Sequence, residues 1–94
     1  PVIPVSESVR VVEGAESKAV DRSKYFLVQT PQTFQCSLIK KAYQYATSKL
    51  FTDDATVLEN MGEKIHLVEG NRENIKITFP DDLVFAEILL KRLT

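Results

Sequence analysis

Cysteine, histidine and glycine are scarce in this 94-residue chain, which has one Cys, one His and three Gly. A single thiol, Cys36, excludes an internal disulfide and a cysteine-based metal cluster, and suits a reducing compartment such as the cytoplasm. One histidine, His66, cannot build a zinc site, and no nucleophile and carboxylate at a telling spacing would complete a triad around it. The glycines are dispersed, so there is no glycine-rich phosphate loop. Charge of one sign is also missing: 12 Lys+Arg against 13 Asp+Glu leave -1, too little to hold nucleic acid or an anionic membrane. The longest uninterrupted apolar stretches, Tyr25-Phe26-Leu27-Val28 and Leu83-Val84-Phe85-Ala86, are far too short for a membrane span or a signal-peptide core.

What remains is an ordinary globular composition, 44% hydrophobic and 27% charged, which excludes a disordered tail or a low-complexity linker. At this length folding removes roughly 60–65% of the unfolded surface from water, so the core is expected to be modest. The chain opens on Pro1 without a methionine, which suits a processed or truncated piece.

Residues 4–12 alternate as a strand would, with Val5, Glu7, Val9 and Val11 on one side. A turn is expected at 13–17, around Gly14, and an extended return through 18–28. Both arms of this hairpin are polar on both faces, so it is marginal alone and is expected to lie on something else. Thr30-Pro31-Gln32 ends the strand pattern. From about Ser37 the period becomes helical, with Leu38, Ile39, Ala42, Tyr43, Ala46 and Leu50 on one stripe. Thr52 is expected to cap a second helix carrying Val57, Leu58 and Met61, ended by Gly62 in a left-handed conformation. Short strands are expected at 65–68 and 75–77, separated by a polar loop at 71–74. Pro80 starts a last helix, with Lys91 and Arg92 at its negative end. Strands interleaved with helices give an α/β class, but two core strands are too few to close an independent sandwich.

Single residues offer little chemistry. His66 reads best as an ordinary strand residue and Cys36 as a packing residue, although a helix start can lower a thiol pKa. Four polar clusters fall at the ends of elements. In Val20-Asp21-Arg22, the planar fork of Arg22 suits a phosphate, against the plainer reading of a surface ion pair. In Gln29-Thr30-Pro31-Gln32, Thr30 is either a hydroxyl contact or a helix cap. The carboxylates of Phe51-Thr52-Asp53-Asp54 read first as helix-dipole complements, ahead of metal ligands, and such a helix start also accepts phosphate. In Glu73-Asn74-Ile75-Lys76-Ile77-Thr78, a lysine between two isoleucines points away from their face, toward another element or a cleft, or toward water. Together Arg22, Thr30, Thr52 and Lys76 supply the two cations and two hydroxyls that complement a phosphomonoester.

These clusters, DR-x5-QTPQ-x-F from Asp21 to Phe34, TDDA from Thr52 to Ala55, and LVEG-x-x-x-NIKIT-x-P-x-DL from Leu67 to Leu83, resemble in order and spacing the C-terminal part of the 2-C-methyl-D-erythritol 4-phosphate cytidylyltransferase family. The resemblance covers essentially the whole chain. It implies a C-terminal fragment, residues 1–94, of a Rossmann-like nucleotidyltransferase fold, with 4–28 as a protruding β-hairpin arm for dimerisation and 29–94 as part of the substrate-binding half. The N-terminal half, which binds CTP, would be absent. It further implies CMP transfer from CTP to 2-C-methyl-D-erythritol 4-phosphate in non-mevalonate isoprenoid biosynthesis, with magnesium held mainly by the absent half and a homodimer joined through the arm. Arg22 and Lys76 would grip the substrate phosphate, while Thr30, Thr52 and Ser8 would supply hydroxyl contacts. Ser8 stands where the family commonly has threonine, and Phe79 replaces the usual threonine before Pro80, weakening that helix cap. The nearer alternative is a pentitol (ribitol) 5-phosphate cytidylyltransferase, and the other is a non-catalytic dimerisation piece. The fragment alone is expected to be inactive.

Overall fold

A computed structural model describes residues 1–46 and 51–94. Contacts divide the chain into two units, one of Pro1–Thr30 with Val68–Thr94, the other of Pro31–Leu67. The mixed helix and strand content expected from the sequence is present.

In the first unit, the strand expected over 4–12 is broken in two. β1 spans Val2–Pro4 and β2 spans Arg10–Glu13. Pro4 has no N–H to continue a ladder, and past it Ser6 and Ser8 are exposed with no apolar face to bury. β2 pairs antiparallel with β3, Glu16–Ala19, and Glu13 stands opposite Glu16 across a two-residue turn. Gly14 has φ +61 while no non-glycine residue among those described has positive φ, the signature of a type II′ hairpin turn with glycine at its first central position. Arg10 braces the hairpin, donating from Nε to Ser17 Oγ at 3.0 Å and from a terminal nitrogen to the Ser17 carbonyl at 3.2 Å.

The return arm is not continuously extended. It is interrupted by a 3₁₀ turn, Arg22–Lys24, because Asp21 caps it by accepting from the Ser23 N–H at 3.1 Å and the Ser23 hydroxyl at 2.6 Å. β4, Phe26–Val28, then pairs antiparallel with β1, and the Gln29 N–H extends that ladder to the Pro1 carbonyl at 2.9 Å.

Neither of the strands expected at 65–68 and 75–77 forms a ladder among the described residues. A single parallel bridge appears among the described residues, between Val2 and Glu69, with Val2 N–H donating to Val68 O at 2.9 Å and Gly70 N–H to Val2 O at 2.8 Å. A strand needs a partner along its length, and β1 ends at Pro4. Leu67, Val68 and Ile77 are accordingly exposed. The loop at 71–74 is a turn as expected, closed by Asn74 N–H on the Asn71 carbonyl at 3.3 Å.

The last helix of the chain, α3, spans Pro80–Leu93, with Pro80 in its first turn and Lys91 and Arg92 in its last. Phe79 offers no acceptor, and Asp82 caps the start instead: its carboxylate accepts from the N–H groups of Phe79 at 2.8 Å and Thr78 at 2.9 Å. These two bonds hold the Asp82 carboxyl below its ordinary pKa, Phe79 contributing most.

In the second unit, α1 spans Cys36–Tyr45 and α2 spans Asp54–Asn60. Buried Ala42, Val57 and Leu58 form the core, with Phe34, Leu38, Ile39, Ala46, Phe51, Met61 and Ile65 packed around it. Leu50, the last residue of the expected stripe, lies outside the described residues. Tyr43, expected on the buried stripe, is exposed and its phenol donates to Asp54. A phenol carries a polar tip that seeks a partner, and the Asp54 carboxylate raises its pKa. The α2 cap is Asp53, one residue later than the expected Thr52: its carboxylate accepts from the Thr56 N–H at 2.9 Å and hydroxyl at 2.5 Å. Gly62 adopts φ +96 after α2, as expected.

Candidate functional site

The first unit holds Ser8, Arg22, Thr30 and Lys76, and the second holds Thr52. All five side chains are exposed.

Arg22 is placed by the Asp21 cap at the start of its 3₁₀ turn, and its guanidinium donates to the Ser6 carbonyl. That bond ties the DR motif to the stretch carrying Ser8, two residues on. Asp21 itself does not pair with Arg22; the Ser23 hydroxyl, then the Ser23 N–H, hold its carboxyl below the ordinary value.

Thr30 is no helix cap. The residue flanking α1 is Gln35, whose side chain makes no capping bond. The Thr30 carbonyl instead accepts from Asn74 Nδ2 at 2.7 Å. Beside it, the Gln29 carboxamide donates from Nε2 to the carbonyls of Asn71 at 2.7 Å and Asn74 at 3.2 Å, and accepts at Oε1 from the Asn71 N–H at 3.3 Å. Two donors on two carbonyls and an acceptor on an N–H fix which way this amide faces. Gly70 makes room for it, since a Cβ there would overlap the Gln29 amide and stand 3.2 Å from the Val2 carbonyl. The start of QTPQ is thereby fastened to the start of NIKIT, bringing the segments of Thr30 and Lys76 together.

Gln32, at the other end of QTPQ, has a matching task in the second unit. It donates to Asp53 Oδ2 at 3.1 Å and accepts from the Ala55 N–H at 3.1 Å. The first-turn N–H groups of Ala55 and Thr56 are thus taken by side chains of the chain itself. The Asp53 carboxyl is held below its usual range chiefly by the Thr56 hydroxyl, with burial opposing and the Thr56 N–H and Gln32 assisting.

The sequence marks Thr30 and Lys76 in these motifs as candidates but gives no role to Gln29, Gln32 and Asn74. The available signal was that long amides beside a Thr-Pro break are suited to satisfying loop backbone that no ladder serves. Cys36 opens α1 and is exposed rather than packed, because the apolar stripe begins two residues later at Leu38. His66 is exposed and in no strand; it lines a concavity of about 310 Å³ with Phe34, Leu38 and Ile65. Among the described residues, no group of three or more His, Cys, Asp or Glu side chains is gathered that could hold a metal ion. No helix among them is long and apolar enough to cross a membrane.

The family model for 2-C-methyl-D-erythritol 4-phosphate cytidylyltransferase (IspD) matches residues 1–92. A protein so named from Phocaeicola vulgatus is 53% identical over 90 residues, and one from Bacteroides fragilis is 54% identical over 90; each match spans 96% of this chain and 41% of the relative. The crystal structure of the Thermus thermophilus protein of that name superposes with a TM-score of 0.83 at 40% identity, over 97% of this chain and 46% of that one. A 4-diphosphocytidyl-2C-methyl-D-erythritol synthase structure gives 0.77 at 32% identity, over 95% of this chain and 40% of that one. The chain therefore spans about two-fifths of the length of the curated relatives it matches, and the α/β class read from the sequence agrees with the solved structures. The chain belongs to the 2-C-methyl-D-erythritol 4-phosphate cytidylyltransferase family.

Proposed function

We propose that this chain is the C-terminal, acceptor-binding portion of a cytidylyltransferase that transfers CMP from CTP to 2-C-methyl-D-erythritol 4-phosphate, releasing pyrophosphate, in non-mevalonate isoprenoid biosynthesis. The observation that carries this reading is the family match over residues 1–92. A phosphate oxygen of the acceptor attacks the α-phosphorus of CTP in line and pyrophosphate leaves. Two polyanions must meet, so the chain's task is charge neutralisation and positioning. Exposed Arg22 and Lys76 supply the positive charge around the acceptor phosphate, and Ser8, Thr30 and Thr52 supply hydroxyls. A phosphomonoester is already anionic near neutral pH, so no general base is required, which suits a chain with one histidine. Magnesium, when bound, would neutralise triphosphate charge, with its ligands mainly in the part of the enzyme outside this chain.

We assign the hairpin to a homodimer interface in a cytoplasmic enzyme. Its strands β2 and β3 are exposed at every residue, and a two-stranded ribbon of that kind needs a surface to lie on. The pentitol-phosphate alternative is less well supported, because the relatives cited above carry the methylerythritol name. Pyrophosphate release by the full-length protein, measured with CTP and either 2-C-methyl-D-erythritol 4-phosphate or ribitol 5-phosphate, tests the assignment. Turnover is expected with the first, and a preference for ribitol 5-phosphate would overturn it.

A further inference from the structure

Lys76 sits in the middle of residues 74–78, a span that forms no ladder among the described residues, yet both its ends are pinned. At one end Asn74 gives its carbonyl to Gln29 Nε2 at 3.2 Å and its own amide to the Thr30 carbonyl at 2.7 Å. At the other end Thr78 N–H donates to Asp82 at 2.9 Å. Gln29 is in turn fixed by its backbone bond to Pro1 and by Asn71 on both sides of its amide, in a space that exists because residue 70 is glycine. A lysine ammonium is a point charge on a flexible stem, so where it meets an anion depends on where its backbone is anchored. Sheet pairing would ordinarily provide that anchor, and here two side-chain amides take its place.

We propose that Gln29 and Asn74 are positioning residues for phosphate transfer: through the backbone of residues 70–74 they set where Lys76 meets the acceptor phosphate. The proposal rests on Lys76 being a ligand of that phosphate, as read above. Neither amide touches the substrate. Their effect is on geometry, and misplacing a reacting group by about 1 Å can cost on the order of 100-fold in rate.

The test is a double-mutant cycle in the full-length protein, with steady-state kinetics for CTP and for 2-C-methyl-D-erythritol 4-phosphate. Gln29→Ala is expected to lower kcat/KM for the polyol phosphate by about tenfold while KM for CTP moves by less than about twofold. Gln29→Glu is expected to be no better than alanine, because it turns a carboxylate toward the Asn71 and Asn74 carbonyls. In a Lys76→Ala background, Gln29→Ala should add less than about twofold, since the residue it positions is gone. A full further loss in that background overturns the proposal, as does an equal loss for both substrates that tracks a fall in melting temperature. A polyol-phosphate rate untouched by Lys76→Ala removes the phosphate assignment itself, and the proposal falls with it, which the single variant reveals independently of Gln29. If Gln29→Ala does not fold, Asn74→Ala enters the same cycle with the same expected and contrary results.

Discussion

Asp53 shows how much one side chain arranges in the second unit. Its carboxylate holds the Thr56 N–H and hydroxyl and receives the Gln32 amide, so it starts α2 and fastens the QTPQ segment to it. Replacing a capping aspartate by alanine costs about 1 kcal/mol, and Asp53→Ala in the full-length protein is expected to lose that much in urea unfolding at pH 7. The pKa of this carboxyl is depressed in the folded state, so its stabilisation is fully present above the ordinary value of 3.8 and fades as pH falls through the lower folded value. The difference between wild type and Asp53→Ala should therefore shrink on acidification below pH 3.8, and a difference that grows there would contradict the assignment. The run Thr52-Asp53-Asp54 offers three good capping residues in succession. Residue types alone made a cap legible, while its register was settled by which acceptor reaches the Thr56 N–H and hydroxyl with Gln32 alongside. Gln29 was illegible for a related reason: its partners, Asn71 and Asn74, are more than forty positions away.

At the scale of elements, helices are more legible in the sequence than strands. α3 carries its start and stop signals locally, Pro80 in the first turn and Lys91 and Arg92 in the last. The expected strands at 65–68 and 75–77 have strand-like residues but form no ladder among the described residues, the Val2–Glu69 bridge falling just past the first of them, because a strand is completed by a neighbour and not by its own composition. The hairpin shows the converse. Its glycine turn was readable, and the pair β2–β3 forms although every residue of it is exposed. If this arm crosses to a second subunit and delivers Arg22 there while Lys76 serves its own subunit, two inactive full-length variants should complement. Subunit exchange between Arg22→Ala and Lys76→Ala makes about half the dimers mixed, each with one intact site, so about a quarter of all sites should regain activity by two-fold symmetry. Activity that stays flat after verified exchange would place Arg22 in its own subunit's site.

Across the whole molecule, the buried hydrophobic residues among those described are Val2, Ala42, Val57 and Leu58, while Phe26, Leu27, Ile77, Phe85, Ile88 and Leu90 are exposed. A chain of this length with so small a core gains little from apolar burial. The two units carry the groups proposed for the acceptor phosphate but no glycine-rich loop for a triphosphate. The 94-residue chain alone is accordingly expected to release no pyrophosphate from CTP with any polyol phosphate, and turnover by homogeneous material of this length would contradict the division of labour. That division is tested most directly by Lys76→Ala in the full-length protein, with kcat/KM for 2-C-methyl-D-erythritol 4-phosphate and binding of CTP measured side by side. Losing one charge-assisted contact to the reacting phosphate should lower the polyol-phosphate kcat/KM on the order of 100-fold and leave CTP affinity within about threefold. CTP affinity that falls as steeply as the polyol-phosphate rate would show that Lys76 serves the nucleotide instead.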